Sequence, residues 1–291
     1  MTLKRLIFRT AVRGMELLFL TKGIKSLYHS NLSVERVKED DAIDVITIAY
    51  NNAKVIELHN QYVKKYLTGN VSHIIVDNSS NMEESQKIKD ICEREKLGYV
   101  RLHKNRMGIF SPSYSHATAA NWIYRHIIKL RGAFGFGFID HDIFPVCAMD
   151  FASILKEKPF YGAKRERNGL WYLSAIISFY RLDYLKDKKF DFMPITINRT
   201  YMDTGGGNWQ TIYKDIDIDE VNFITNYTVN FQEGDNRHQD YIELFDDERW
   251  VHTINGSYWK KVDVVKENIM VELIAKYEKR QLAEKKRQLA E

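Results

Sequence analysis

Short apolar runs alternate with amphipathic stretches through the first half of the chain. Asp44-Val-Ile-Thr-Ile-Ala49 reads as a buried strand closed by Tyr50-Asn51-Asn52, and Ala53 to Leu67 repeats its apolar positions with a helical period. His73-Ile-Ile-Val76 predicts a second strand. The short polar side chains of Asp77-Asn78-Ser79-Ser80 then suit the cap of a helix from Glu83 to Lys96. Tyr99-Val-Arg-Leu102 predicts a third strand, the loop from Lys104 to Ser113 leads into a helix from His116 to Leu130, and Phe134-Gly-Phe-Gly-Phe-Ile139 predicts a fourth strand. Strands alternating with helices imply an α/β fold with a mostly parallel, Rossmann-like sheet covered on both faces.

The second half is patterned differently. Pro159 to Gly162 and Leu170 to Tyr180 are strand-like, Arg181 to Leu185 suits a short helix, and Asp203-Thr-Gly-Gly-Gly207 opens a helix from Asn208 to Lys214. Further strands are predicted within Val221 to Phe231, and Trp250 to Gly256 closes the globular part. At the ends lie two helical segments. Residues 1–30 interleave Leu3, Leu6, Ile7, Val12, Met15, Leu18 and Phe19 with Lys4, Arg5, Arg9, Arg13, Lys22 and Lys25. Residues 263–291 are charged and contain a seven-residue duplication, Glu278–Glu284 against Lys285–Glu291, identical from its second residue on. That spacing puts Leu282 and Leu289 on one face; a coiled-coil seam and a solvated helix both fit it.

Composition narrows the classes. The chain has 291 residues, 44% of them hydrophobic and 28% charged, enough for one large globular domain with appendages. A net charge of +4 is not the footprint of a nucleic-acid binder. Two cysteines, Cys92 and Cys147, form no disulfide framework and point to a reducing compartment. The N-terminal apolar stretches are interrupted by charge and have no small-residue cleavage site, and no run is apolar enough to span a bilayer. The expectation is a cytoplasmic protein held peripherally at an anionic membrane surface by residues 1–30. The alternative is that the same apolar face packs on the domain or forms a dimer contact. The terminal helices are also candidates for homo-oligomer contacts.

The candidate chemistry lies at the end of the fourth strand. Asp140 and Asp142 flank His141, and Pro145 stops the strand. On an extended strand, residues i and i+2 face the same side, so both carboxylates converge where hard oxygen donors suit Mn²⁺ or Mg²⁺. His141, between them, points away.

Together these features resemble glycosyltransferases of the GT-A fold, with the first half most similar to the family-2 type. The resemblance covers Asp44 to Gly256 and implies an α/β/α sandwich in which residues 42–150 form the nucleotide-sugar-binding half and 151–262 the acceptor-binding half, flanked by the terminal helices. It implies donor contacts from Tyr50 and Asn51, a base contact from Asp77, and a segment over the nucleotide made of the loop with Asn105 and Arg106 and of helical Asn121. It further implies a D-x-D metal motif of Asp140 and Asp142 completed by His252, with Asp140 also contacting the donor. Asp203, before the second-half helix, resembles the general base of an inverting enzyme, with Asp215, Asp217 and Asp219 as lesser substitutes. The activity implied is transfer of a sugar from a nucleoside diphosphate to a glycan or lipid-linked acceptor, in surface polysaccharide or lipopolysaccharide synthesis.

Departures from the pattern keep other readings open. Asp203 lacks an acidic neighbour, and His252, Gly256 and Trp259 resemble a late motif of some retaining families, so the stereochemical outcome is open. A nucleotidyltransferase would also use paired acids, but Tyr50-Asn51-Asn52-Ala53 lacks that class's glycines. A non-catalytic membrane-associated binding protein on a degenerate fold is the third alternative. Asp77 could be a helix cap, His252 a core histidine, and Gly205–Gly207 a turn rather than a phosphate cradle; Trp171, Tyr172 and Trp209 are read as core.

Overall fold

The computed structural model describes residues 3–24, 29–230, 241–254 and 264–288. Gly256, Trp259, Phe231, Leu289 and Lys25, named above, lie outside them. The N-terminal helix α1 spans Leu3–Leu20, followed by the short edge strand β1 (His29–Ser30) and by β2 (Ile43–Ala49). Helix α2 (Ala53–Tyr66), β3 (Val71–Asp77), α3 (Met82–Glu95) and β4 (Gly98–Arg101) follow. Helix α4 (Pro112–Ile123) continues through a π-helical turn, Tyr124–Ile128, into α5 (Lys129–Arg131). Strand β5 (Gly135–Ile139), β6 (Ile143–Pro145), α6 (Phe151–Glu157), β7 (Phe160–Arg167) and β8 (Leu170–Arg181) carry the chain to a small hairpin, β9 (Ile195–Ile197) with β10 (Thr200–Met202). Then come α7 (Asn208–Thr211), β11 (Val221–Ile224), β12 (Asn226–Asn230), β13 (Tyr241–Phe245), β14 (Trp250–His252) and the C-terminal helix Val264–Gln288.

Eight strands form the central sheet in the order β1-β4-β3-β2-β5-β8-β7-β11. The neighbours β4-β3-β2-β5 are parallel, as is the pair β7-β11, while β1 and β8 run antiparallel to theirs. Every residue of β2 and of β5 is buried, which is why their sequences read as continuous apolar runs. From β2 the chain builds outward to β3 and β4, then returns to place β5 on the opposite side of β2. The carboxyl ends of β2 and β5 therefore flank a topological switch point, where open α/β sheets leave a crevice.

A second, four-stranded antiparallel sheet, β12-β13-β14-β6, stands beside the first. The sequence reading, in which the acid pair sits on the end of the fourth strand and Pro145 stops it, is corrected here. The fourth strand ends at Ile139, and a turn closed by Ile143 N–H donating to the Asp140 carbonyl at 3.1 Å turns the chain into β6. Pro145 sits inside β6 opposite Trp250. Asp140 and Asp142 thus belong to a turn between two sheets, not to the pleat of one strand.

Helix ends differ from the sequence reading in instructive ways. Asn81, not Asp77–Ser80, caps α3, its side-chain oxygen accepting from Glu83 and Glu84 N–H. Helix α4 starts at Pro112, with the Ser111 hydroxyl accepting from Tyr114 N–H and proline at the first helical position, where its missing donor costs nothing. Gly205 has φ +97°, and a Cβ on Gly205 or Gly207 would lie 2.7 Å from the Leu173 carbonyl or 2.5 Å from that of Asp191. The triplet is a tight turn pressed against neighbouring backbone. Trp171 and Tyr172 are buried in the core and Trp209 packs at its margin. Among the described residues, no helix is long and apolar enough to cross a membrane.

Candidate active site

The crevice is a cleft of about 860 Å³, within the range of small-molecule sites. Its wall is built from the segments that follow the parallel strands: Tyr50 after β2, Asn78 to Ser80 after β3, Leu102 to Asn105 after β4, and Asp140 to Asp142 after β5. The start of α4, with Pro112, Ser115 and His116, closes one side, and His252 at the end of β14 with Ile254 beyond it closes another.

Two loops are locked together at the floor. Asn51 adopts φ 53°, a left-handed conformation that asparagine tolerates. Its side-chain oxygen accepts from Ser80 and Asn81 N–H, and its amide donates to the Ser80 hydroxyl. Asn51 is therefore a brace between the β2 and β3 loops, beneath the lining residue Tyr50, whose hydroxyl also meets Ser80 at 3.1 Å. Asn105 lines the cleft and orders its own loop, donating to the Ser115 carbonyl at 2.9 Å and accepting from Met107 N–H.

Asn51 itself is outside the lining, and three further expected donor contacts are not brought to the cleft wall. Asp77 is fully buried and accepts from Ser79 N–H, the Ser85 and Tyr99 hydroxyls, and pairs with Arg101 at 3.0 Å. It is Arg101 that reaches the lining. Asn121 faces inward, where its amide donates to Glu16 at 2.8 Å and its oxygen accepts from Phe192 N–H. Arg106 is exposed at the start of the 3₁₀ turn Met107–Ile109 and is not part of the wall, whereas Lys104 is.

The acidic turn is where the two sheets meet. In the antiparallel pairing of β14 with β6, His252 lies opposite Ile143, and Thr253 anchors the register by donating its N–H to the Asp142 carbonyl at 2.9 Å. His252 Nε2 consequently lies 3.4 Å from Asp142 Oδ1. Its Nδ1 meets Glu243 Oε2 at 2.8 Å, because β13 pairs Glu243 with His252 across the next hairpin. Burial opposes charge on this imidazole, but Asp142 and Glu243 on its two sides raise its pKa to about 10. Asp140 is pushed up to about 7 by burial and by the charge of Asp142. Two desolvated carboxylates sharing one place favour a cation between them.

The donor set fits a divalent metal. Charged, the ring faces a carboxylate from each nitrogen; a divalent cation would take the place of the Nε2 proton, and Glu243, still accepting from Nδ1–H, would hold the ring in the carboxylate–histidine arrangement common around protein-bound metals. Among the described residues, however, no three His, Cys, Asp or Glu side chains are gathered into a ready-made metal cage. His141, between the acids, turns its Nδ1 to the Ile48 carbonyl at 3.1 Å.

Two side chains here escaped sequence reading. His116, one turn into α4, has Nε2 3.5 Å from Asp140 Oδ1, and burial lowers its pKa to about 4, so the contact is that of a neutral ring. Its signal was available, since it follows directly on a polar loop at a strand's carboxyl end. Glu243 is legible only as the mirror of His252 across the tight turn Asp246–Arg249. Asp203 is exposed beside the cleft, outside its lining. Its Oδ1 accepts from Thr204 N–H at 2.8 Å and from the Tyr201 hydroxyl, and Thr204 bonds the Ser113 carbonyl at the start of α4.

No protein-family model and no curated protein matches the chain by sequence. Among solved structures it is similar to the mannosyltransferase PcManGT of Pyrobaculum calidifontis, solved with GDP-Man and Mn²⁺, at 15% identity over 62% of this chain and 56% of that one, with a TM-score of 0.36. It is also similar to the mannosyltransferase Ktr4p of S. cerevisiae, at 10% identity over 62% and 66% of the two chains, with a TM-score of 0.39. For TarS of S. aureus the values are 19% identity over 52% and 30%, with a TM-score of 0.38. The matched part is less than two thirds of each of these proteins.

Proposed function

We propose that this protein is a glycosyltransferase that binds a nucleoside-diphosphate sugar in the cleft and transfers the sugar to a hydroxyl of a glycan or lipid-linked acceptor. The observation that carries the reading is the Asp140–Asp142 turn at the switch point of a parallel sheet, with His252 held against it by Glu243. A dianionic diphosphate would meet two carboxylates here, which is unfavourable without a divalent cation between them. Asp140, Asp142 and His252 would hold Mn²⁺ or Mg²⁺, and the ion would neutralise negative charge on the leaving diphosphate. Lys104 and Arg101, the latter paired with Asp77, bring positive charge to the lining, and Tyr50 contributes an aromatic ring to it.

In the transfer itself, the acceptor hydroxyl attacks the anomeric carbon, the bond from that carbon to the diphosphate oxygen breaks, and Asp203 takes the hydroxyl proton. This is general-base catalysis by a carboxylate, and it inverts the anomeric configuration. A nucleotidyltransferase is disfavoured by the first strand-to-helix loop, where the asparagine brace stands in place of a glycine-rich phosphate loop. The test is calorimetric titration with UDP and GDP, with and without Mn²⁺. Cation-dependent binding that is lost in Asp142→Ala supports the reading. Failure of both nucleotides to bind, or binding indifferent to cation and to Asp142, contradicts it.

A further inference from the structure

Helix α1 has two apolar faces, and only one is used by the fold. Val12 and Phe19 are buried in the main core, with Met15 and Leu20 packed beside them. Glu16, the helix's one acid, is turned inward to Asn121 and Arg13. The Trp122 indole donates to the Lys22 carbonyl at 2.7 Å and His126 meets the Leu20 carbonyl at 2.8 Å, so the helix is firmly docked. On the opposite side Leu6 is 47% exposed, Ile7 59%, Leu17 58% and Leu18 68%. Leu6 and Leu17, like Ile7 and Leu18, are eleven residues apart, about three helical turns, and so form two adjacent ridges roughly 16 Å long. Thr10, Ala11 and Gly14 between them are exposed and short, which leaves the ridges standing clear.

We propose that this outer face of α1 is a docking surface for an anionic phospholipid bilayer, with the helix lying in the plane of the headgroups. Charge selects the occupant. Helix α1 carries Lys4, Arg5 and Arg9 in its sequence, Arg9 also donating to the Thr196 carbonyl; Arg13 is ion-paired with Glu16 and Asp191, and exposed Lys22 follows the helix. Two copies meeting through this face would bring their cations together, whereas anionic lipid receives cations and leucines at once. The inward side of the same helix, through Phe8 in line with Val12 and Phe19, adjoins the cleft. Phe8 packs edge-on against Phe110 at 5.4 Å and Tyr114 at 6.1 Å, next to Gly108 and Pro112 of the cleft wall, and Ile109 between them is 73% exposed. A lipid-linked acceptor in the same bilayer would reach the cleft past this helix. That last step rests on the glycosyl-transfer reading; the docking itself does not.

The experiment is co-sedimentation of the full-length protein with vesicles of phosphatidylcholine alone or mixed with phosphatidylglycerol. Binding is expected only to the anionic vesicles. It should weaken as salt is raised from about 0.1 M to about 1 M, which shortens the screening length from ~10 to ~3 Å. Replacing both Leu17→Glu and Leu18→Glu should reduce vesicle partitioning ~tenfold or more with an unchanged melting temperature. Ile7→Glu, which alters only an exposed position, should act in the same direction. Protein that stays in the supernatant, or that binds neutral and anionic vesicles alike, overturns the proposal. So does a concentration-dependent dimer in light scattering that Leu18→Glu dissociates, since a second copy would then occupy the face. None of these readouts depends on turnover.

Discussion

His252 and Asp142 are brought within 3.4 Å by the pairing of β14 with β6, although 110 positions separate them in the chain (252 less 142). The contact makes the cleft a product of both sheets: one supplies the acidic turn, the other the imidazole and the carboxylate behind it. Asp142→Ala should therefore remove cation-dependent nucleotide binding and turnover and leave the melting temperature within a few degrees of the parent, since the turn's backbone bonds to Thr253 remain. Calorimetry and thermal unfolding on the same samples check both halves of this expectation.

In the proposed metal site Glu243 would stand one step further from the cation. Glu243→Gln keeps size and hydrogen-bonding reach, but its amide no longer fixes the His252 tautomer by charge. Loss of such an outer partner typically weakens metal affinity about 10- to 100-fold. Mn²⁺ titration followed by electron paramagnetic resonance reads this directly, without an assay of activity. Unchanged Mn²⁺ affinity would remove Glu243 and His252 from the metal's surroundings.

Asp203→Asn tests the proton acceptor. The variant should bind donor nucleotide and cation as the parent does and lose roughly 10²- to 10⁴-fold in kcat, the usual contribution of a general base. The anomeric configuration of the product, read by nuclear magnetic resonance, tests the same assignment from the other side: inversion agrees with a single displacement assisted by Asp203, and retention contradicts it.

How much of this was legible in the sequence differs by element. Strands β2, β3 and β5 were legible because both their faces are covered, so their apolar runs need no partner to be recognised. The second sheet was not, because β6 is three residues long and ends in a proline that locally reads as a stop. Only the distant β14 makes it a strand. Asp142 and His252 were singled out by type and order, and the sheet pairing supplies the reason these two side chains meet. Asn121 shows the opposite case. The family resemblance implied a nucleotide contact there, whereas the fold uses the side chain to seat the buried Glu16 of α1. Helix α1 itself is apolar on more than one side, and periodicity alone does not say that Val12 and Phe19 face inward while Ile7 and Leu18 face out.

A buried ion pair offers a stability test away from the cleft. Arg131 forks onto Asp44 through two bonds of 2.9 Å and donates to the Ser33 carbonyl at 2.8 Å. Burial raises the pKa of Asp44, with Arg131 opposing. Arg131→Ala would strand that carboxylate and should cost about 3–5 kcal/mol in urea unfolding. Arg131→Lys should recover only part of this, because an ammonium cannot reproduce the fork.

Two buried histidines set a pH dependence. Thr47 bridges His59 at 2.9 Å and His73 at 3.1 Å, and burial lowers the pKa of His73 to about 3 and that of His59 well below its ordinary value. Unfolded, each would titrate near 6.5, so below that pH the unfolded chain binds protons that the fold refuses. The stability contributed by these two histidines is complete above pH 6.5 and should fall as the pH drops toward 3, by up to about 1.4 kcal/mol per pH unit for each, while the raised pKa values of His252 and Asp140 act in the opposite sense. Urea midpoints between pH 7.5 and 5 check the slope, and His73→Asn should flatten it.

The most direct test of the central claim is release of nucleoside diphosphate from a panel of nucleotide sugars incubated with the full-length protein, Mn²⁺ and acceptor-bearing extract. The account predicts cation-dependent release from at least one donor, abolished by chelator and by Asp142→Ala. Release of pyrophosphate from a nucleoside triphosphate and a sugar phosphate, or diphosphate release that persists in Asp142→Ala, would contradict it.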